Sequence, residues 1–409
     1  MTTSSQPPII TRLTWSTLLF PLALVLFEFA TYISNDMILP GMPAVVHEFG
    51  ADPTLIPSAM TLSLLGGASL QWLLGPLSDR VGRRPVMLSG VLFFTFACIG
   101  ILWVETFAAF LFFRFLQGIG LCFIGAVGYA SIQESFSETL AVRVMAMMAN
   151  VALIAPLIGP VAGAGVLLVA DWRWIFIVVA IVSVLSLLGL WFKMPESSPK
   201  VTSPLRINTL WQEYKLVFQN RRFRLGGLAL GLNCLPLLGW IALAPVVLMQ
   251  KAGLSTFDYG LWQIPVFAGL IIGNIILAKF VVTIPIYRLI RLGTWPMMIG
   301  LIGALYLVIA PQNWLCLIAC MGFAALGMGM INAALYRLTL FSSDQNKGTV
   351  AASLGMFNMV VFASGIELLK WAYAHWGNAS FVLICFVSGL IALWARREFL
   401  RGAHGEVAA

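Results

Sequence analysis

Two acids eight residues apart, Glu28 and Asp36, stand inside the first long apolar run of this sequence, with Tyr32 and Asn35 between them. On a helix turning 100° per residue, Tyr32 and Asn35 each fall within about 40° of Glu28 and Asp36 lies about 80° from it, which makes one polar face. The rise over eight residues is roughly 12 Å, too far for two carboxylates to share a proton. Two sites that interact weakly or in sequence are expected. A carboxylate among apolar groups has its charged form disfavoured, so it can take up and release a proton near neutral pH. The alternative is that both acids are permanently paired structural residues, with Arg114 as the one partner at comparable depth.

A charge at the centre of a membrane helix costs about 2.5–3.5 kcal/mol on insertion scales, so each one needs a reason. Arg114 opens the run Arg-Phe-Leu-Gln-Gly at 114–118, and its guanidinium stays charged. Two readings of it are open: it lowers the proton affinity of a first-helix carboxylate in one conformation, or it binds backbone carbonyls and holds helix packing, with Gln117 beside it. Glu367 and Lys370, three residues apart, are expected to pair structurally. The three histidines, His47, His375 and His404, lie near loops or the tail. They show no metal-ligand or nucleophile spacing, so neither a metal site nor an intramembrane enzyme is expected. There is no Lys-Ser/Thr phosphate loop, which argues against ATP as the driving force.

The elements that position these residues follow from composition. The chain has 409 residues, 60% hydrophobic and only 10% charged, against roughly a quarter charged in a soluble domain. Apolar stretches of about 20 residues recur, the length that crosses a ~30 Å hydrocarbon core. The predicted spans are about twelve, at roughly 16–38, 55–77, 86–104, 107–131, 144–169, 174–193, 223–249, 257–280, 288–310, 313–336, 348–372 and 378–396. They are too long for barrel strands. The first run carries Glu28, continues past Asn35 and lacks a small-residue cleavage pattern, so it reads as a transmembrane helix and not a removed leader. All six cysteines lie in apolar spans and read as packing residues.

The net charge of +8 could suggest nucleic acid, but its placement points elsewhere. With the N-terminus inside, most of the 24 Lys and Arg residues collect on the inner loops and tails, while Arg173, Lys251 and Lys370 fall outside. Both termini are therefore expected on the cytoplasmic side, with lipid head groups as partners of the positive charge. Between Met194 and Arg224 the composition turns to Pro, Ser and charge. The expected organisation is a six-helix bundle at 1–193, a cytoplasmic linker at 194–222 and a second bundle at 223–409. A short amphipathic helix is predicted at 210–218, with Trp211 and Tyr214 at head-group depth. The fold class is an all-α membrane protein of twelve transmembrane helices in two bundles, with a substrate site between them.

Three further motifs carry a resemblance. The basic turn Gly75-Pro-Leu-Ser-Asp79-Arg80-Val-Gly82-Arg83-Arg84-Pro85 is explained by orientation and turn chemistry alone. It is also similar to the G-x-x-x-D-R-x-G-R-R signature of the major facilitator superfamily, and Arg114-x-x-Gln117-Gly resembles that superfamily's fourth-helix motif. By this resemblance Asp79 would sit at the start of the eleventh helix near Lys347-Gly348, where the helix dipole favours an acid. There it would help latch the inner gate, and Glu134 would join by pairing with Arg83. The fifth span contains Ala155-Pro156-Leu-Ile-Gly159-Pro160-Val-Ala-Gly163-Ala-Gly165. Its small-xxx-small spacing permits close helix approach, and its prolines bend the axis. The run resembles the antiporter signature G-x-x-x-G-P-x-x-G-G, with Ala at 155 and 164 as departures, and implies export.

The match narrows with Glu28, Tyr32, Asn35 and Asp36 followed by Pro40-Gly41-Met42, and with Gln71-Trp72-Leu-Leu-Gly75, Gln133-Glu134-Ser135-Phe136 and Leu338-Thr339-Leu340-Phe341. Across nearly the whole chain these resemble the multidrug/proton antiporters of the superfamily. The resemblance implies export of lipophilic cations and neutral antibiotics such as chloramphenicol from the inner membrane of a bacterium. It implies no cofactor, the proton gradient as drive, and Glu28 and Asp36 in proton and drug coupling; a monomer is expected. Beside Tyr32, Asn35 and Asp36, the residues Met60, Leu121, Tyr129, Met148, Ala152, Leu238 and Ile241 lie at depths suited to lining a cavity. Met and aromatic side chains repack around varied ligands, and each of these is equally open to being plain packing. A proton-coupled nutrient symporter is the competing reading, but the seventh span offers Asn233 as its one clear polar group.

Overall fold

In the computed structural model, residues 10–11, 14–198 and 207–407 are described. Among them the regular elements are helices: α1 (Trp15–Asp36), α2 (Met42–Glu48), α3 (Ser58–Ser69), α4 (Gln71–Val81), α5 (Arg83–Gly100), α6 (Phe107–Phe123), α7 (Tyr129–Ser135), α8 (Glu138–Leu167), α9 (Arg173–Lys193), α10 (Ile207–Gln219), α11 (Arg221–Ala244), α12 (Thr256–Phe280), α13 (Ile286–Ala304), α14 (Trp314–Leu340) and α15 (Lys347–Val407). In a bilayer the backbone must satisfy its own hydrogen bonds, and a helix does so within one segment.

Among the described residues, nine helical stretches are long and apolar enough to cross a membrane. The rest of the predicted spans also fall on helices. The second is divided into α3 and α4 at Leu70, the fifth is α8, and the last two run together in α15. There Gly377, at φ +60°, breaks the helical path, in a region of backbone space open to glycine at little cost.

The chain forms two compact units, Met1–Ile38 with Leu62–Leu210, and Leu39–Thr61 with Trp211–Ala409. The chain thus changes unit within the 194–222 linker, and the connection 39–61 belongs to the second unit. Its apolar side chains Met42, Val45 and Ile56 are fully buried there, with α2 packed on the segment that follows α11. Lys370 donates to Ser58 Oγ at 2.9 Å and pairs with Glu367 one turn away. In the first unit α1 packs on α8 and α9, and α5 packs on α6 and α9. In the second, α11 packs on α15 and α14 on both α12 and α13.

Two π-helical turns interrupt the ladder, Ile124–Gly128 between α6 and α7, and Pro245–Lys251 after α11. The amphipathic helix is longer than its sequence suggests and its two aromatic residues part company: Trp211 is 70% exposed while Tyr214 is buried. Burial pushes the Tyr214 phenol up to about 12.

Candidate functional site

The site begins with α1, whose start is closed by a capping box between Thr14 and Thr17. Glu28 is 1% exposed, midway along the helix. Tyr129, at the first residue after the π turn, donates its hydroxyl to Glu28 Oε1 at 3.0 Å. The other oxygen, Oε2, is buried with no hydrogen-bond partner among the described residues. Asp36 is the last residue of α1 and is 6% exposed. Its surroundings are set by glycine. A Cβ at Gly159 would overlap the Asp36 side chain, and one at Gly163 would overlap the Met37 carbonyl oxygen. The small residues of α8 therefore bring that helix against the end of α1 at its acid, with Ala155 and Pro160 buried in the same helix.

Arg114 is fully buried in α6. It donates to the Ser34 carbonyl at 3.2 Å, to Gln117 Oε1 and to Asn35 Oδ1. Its guanidinium also lies 5.9 Å from the Phe176 ring centroid. Among the described residues it has no carboxylate within 4.0 Å. The carbonyl-binding reading is thus present in the geometry, and the carbonyl it binds lies in α1 two residues before Asp36. Gly118 explains the end of the same motif: a Cβ there would overlap the Ser63 carbonyl oxygen, so α6 and α3 touch at backbone.

At the α4–α5 turn, Gly82 takes φ +117°, and a Cβ there would stand 2.5 Å from Glu196 Oε2. Arg83 pairs with Asp79 at 2.5 Å and makes a two-pronged contact with Glu134, at 2.8 and 3.1 Å. It also reaches the Gly75 carbonyl at 3.4 Å, while Arg80 donates to the Pro76 carbonyl at 2.7 Å. Arg84 donates to the Trp191 carbonyl. The pairing of Arg83 with Glu134 is present; Lys347 belongs to the second unit, and within its own unit Asp79 is held by Arg83.

Residues 24–366 match the Major Facilitator Superfamily. This chain belongs to that superfamily. It is 52% identical over 409 residues to the multidrug transporter MdfA of Yersinia pestis bv. Antiqua (strain Angola), with all of both chains covered. It is 51% identical over 391 residues to MdfA of Edwardsiella ictaluri (strain 93-146), and 49% identical over 391 residues to MdfA of Escherichia coli O6:H1 (strain CFT073), with 95% of each chain covered in both cases. Among solved structures, a D-xylose-proton symporter superposes with a TM-score of 0.74 at 18% identity, covering 93% of this chain and 96% of that one. At that identity the likeness is one of fold. The protein is a multi-pass membrane transporter and not an enzyme.

The remaining expected residues of this superfamily member divide between its units. Tyr32, Asn35, Leu121 and Tyr129 are half-buried and Met148 is buried in the first unit. Met60, Leu238 and Ile241 lie in the second. Ala152 lies outside the residues whose side chains are described.

Five polar residues were missed by sequence reasoning. Glu196, just past α9, accepts from the Arg83 and Arg84 backbone N–H groups at 2.8 and 3.3 Å and so caps α5. Ser197 donates to Glu134 at 2.9 Å, and Ser198 to the Asp79 carbonyl at 2.8 Å. The start of the linker is therefore tied to the basic turn. Asn332 accepts from Asn233 at 2.7 Å, and Gln263 accepts from Trp240 Nε1 at 2.9 Å. The available signal was a lone amide in an apolar run, the same that drew attention to Asn233.

Proposed function

We propose that this chain is a proton-coupled multidrug antiporter of a bacterial inner membrane, with both termini cytoplasmic, acting as a monomer by alternating access. The observation that carries the reading is Glu28: a carboxyl group buried in a membrane helix, with one oxygen bound by a tyrosine hydroxyl and the other unpartnered. A proton on that oxygen removes the cost of burying a charge. Loss of that proton leaves a carboxylate that a lipophilic cation can neutralise. If protonated and drug-bound states exclude one another, an inward proton gradient drives drug outward. Asp36 is the second acid of this scheme, and Arg114 holds the α1 backbone beside it. The full-length likeness to relatives named multidrug transporters supports the choice of drug-like, lipophilic substrates. No cofactor is part of the scheme, and the proton gradient is the source of work.

The test is drug-induced proton release from the purified protein in detergent, comparing Glu28→Gln and Asp36→Asn. Loss in one variant alone assigns the coupling acid; undiminished release in the double variant sinks the scheme. Substrate charge supplies a second measurement in everted vesicles. Exchanging one proton for a monovalent cation moves no net charge, whereas exchanging it for a neutral drug moves one, worth about 2.3 kcal/mol per 100 mV. Transport of the neutral drug should respond to membrane potential and that of the cation should not. Equal responses would rule out this stoichiometry. Export into everted vesicles without uptake by cells also separates the antiporter from a nutrient symporter.

A further inference from the structure

Arg396, at the inner end of the last span, is 3% exposed. Its Nη2 donates to Thr294 Oγ1 of α13 at 2.7 Å, and the Thr294 hydroxyl in turn donates to the Ile290 carbonyl at 3.0 Å. Among the described residues, one neutral hydroxyl is thus the hydrogen-bond partner of a guanidinium with five N–H donors. Among the described residues no carboxylate lies within 4.0 Å of it. The next residue, Arg397, adds a second positive charge. A buried cation without a counter-charge is costly, and in a membrane protein it marks a functional site by default.

The surroundings indicate what supplies the missing charge. Thr294 is only half-buried, so the pair lies at the edge of the seam between α13 and the second half of α15. Higher in the same seam the helices touch closely, since a Cβ at Gly389 would overlap Leu301. Toward the inner surface, Arg291 and Arg288 precede Thr294 at steps of three residues, and both are exposed. They lie one and two turns nearer the head groups, about 4.5 and 9 Å along the axis. Trp295, beside Thr294, is 67% exposed, the kind of ring that sits at head-group depth. A stripe of arginines thus descends from the inner surface to a buried arginine at the edge of the bundle.

We propose that this seam is a phospholipid site, in which the phosphate of an anionic inner-leaflet lipid is held by Arg396 and Arg291 while its acyl chains run along α13 and α15. A phosphate diester accepts the two parallel N–H bonds a guanidinium offers, and basic pockets between membrane helices suit such head groups. The inference rests on the membrane orientation and not on drug transport, so the two fail separately.

The experiment is native mass spectrometry of the full chain in detergent, titrated with phosphatidylglycerol. Wild-type protein should retain one lipid strongly, Arg396→Gln should lower that affinity about tenfold, and Arg396→Lys should recover part of it. Should Arg396→Gln not fold, Arg291→Gln, at an exposed position, should lower retention about threefold in a protein with an unchanged melting curve. Arg397→Gln serves as the control of equal charge and should change retention little. Three results would overturn the proposal: equal loss in Arg397→Gln and Arg396→Gln, which indicates diffuse attraction; unchanged retention in Arg396→Gln or Arg291→Gln; and stabilisation by inorganic phosphate equal to that by the lipid, which indicates a soluble-anion site.

Discussion

The two units of this transporter pack their helices alike but place different chemistry inside them. In the first, Gly118 and Gly163 let helices meet at backbone, and in the second Gly269 and Gly273 bring α12 against α14 in the same way. The polar groups between those helices differ. Glu28 and Asp36 are buried carboxyl groups of the first unit, beside the buried Arg114, whereas the second holds the buried Arg396 and the neutral hydrogen-bonded pairs Asn233 with Asn332 and Trp240 with Gln263. A neutral pair can be satisfied locally and has no proton to exchange near neutral pH. A buried carboxyl changes its interaction with its surroundings each time it titrates. Close packing is thus a shared property of the fold, while the buried carboxyl groups on which the proposed proton coupling depends lie in one half.

The strongest way to break this comparison is to neutralise each half in turn. Glu28→Gln with Asp36→Asn should reduce drug-induced proton release at least tenfold, to background, while Asn233→Ala with Asn332→Ala should leave its stoichiometry intact. Release lost equally in both would show that the chemistry is not confined to the first unit. Next in size are the glycine contacts. Gly163→Ala and Gly273→Ala should each destabilise the protein by about 1–3 kcal/mol, seen as lower melting temperatures, because a methyl is forced into a backbone contact. Only Gly163→Ala should also alter proton release, through Met37 and the adjoining Asp36. Glu134→Gln keeps the shape of the contact to Arg83 but removes its charge, at a cost of about 1.5–3 kcal/mol in chemical denaturation; an unchanged midpoint would mean the pair is dispensable. The smallest effect is that of Asn332→Ala alone, about 1 kcal/mol for the lost bond to Asn233, with proton release unaltered.

Much of the candidate site is legible in the sequence. Charges at Glu28, Asp36 and Arg114 interrupt apolar runs, and an ion in hydrocarbon is improbable enough to announce itself. The basic turn at 79–84 was legible for the same kind of reason, since charge placement follows membrane sidedness. The partners were not. Tyr129 reaches Glu28 across 101 positions of chain, and nothing in either residue's neighbours encodes that contact. Asn35 was grouped with the acids by helical angle, yet the structure gives its side-chain oxygen to Arg114. Glu196 is one of several charges in the linker sequence, and its role as the cap of α5 depends on where α9 ends in space.

Length, apolar periodicity and the sidedness of arginine and lysine determined by themselves that this chain is helical, crosses the membrane many times and sets two acids in its first span. These are one-dimensional properties, since each follows from the cost of exposing polar groups to hydrocarbon along a single segment. Which oxygen of Glu28 is bonded, which helix Gly159 admits against Asp36, and that residues 39–61 join the second unit were decided only by tertiary packing. Such facts depend on atoms far apart in the chain meeting within a few ångströms, and only folding brings those atoms together.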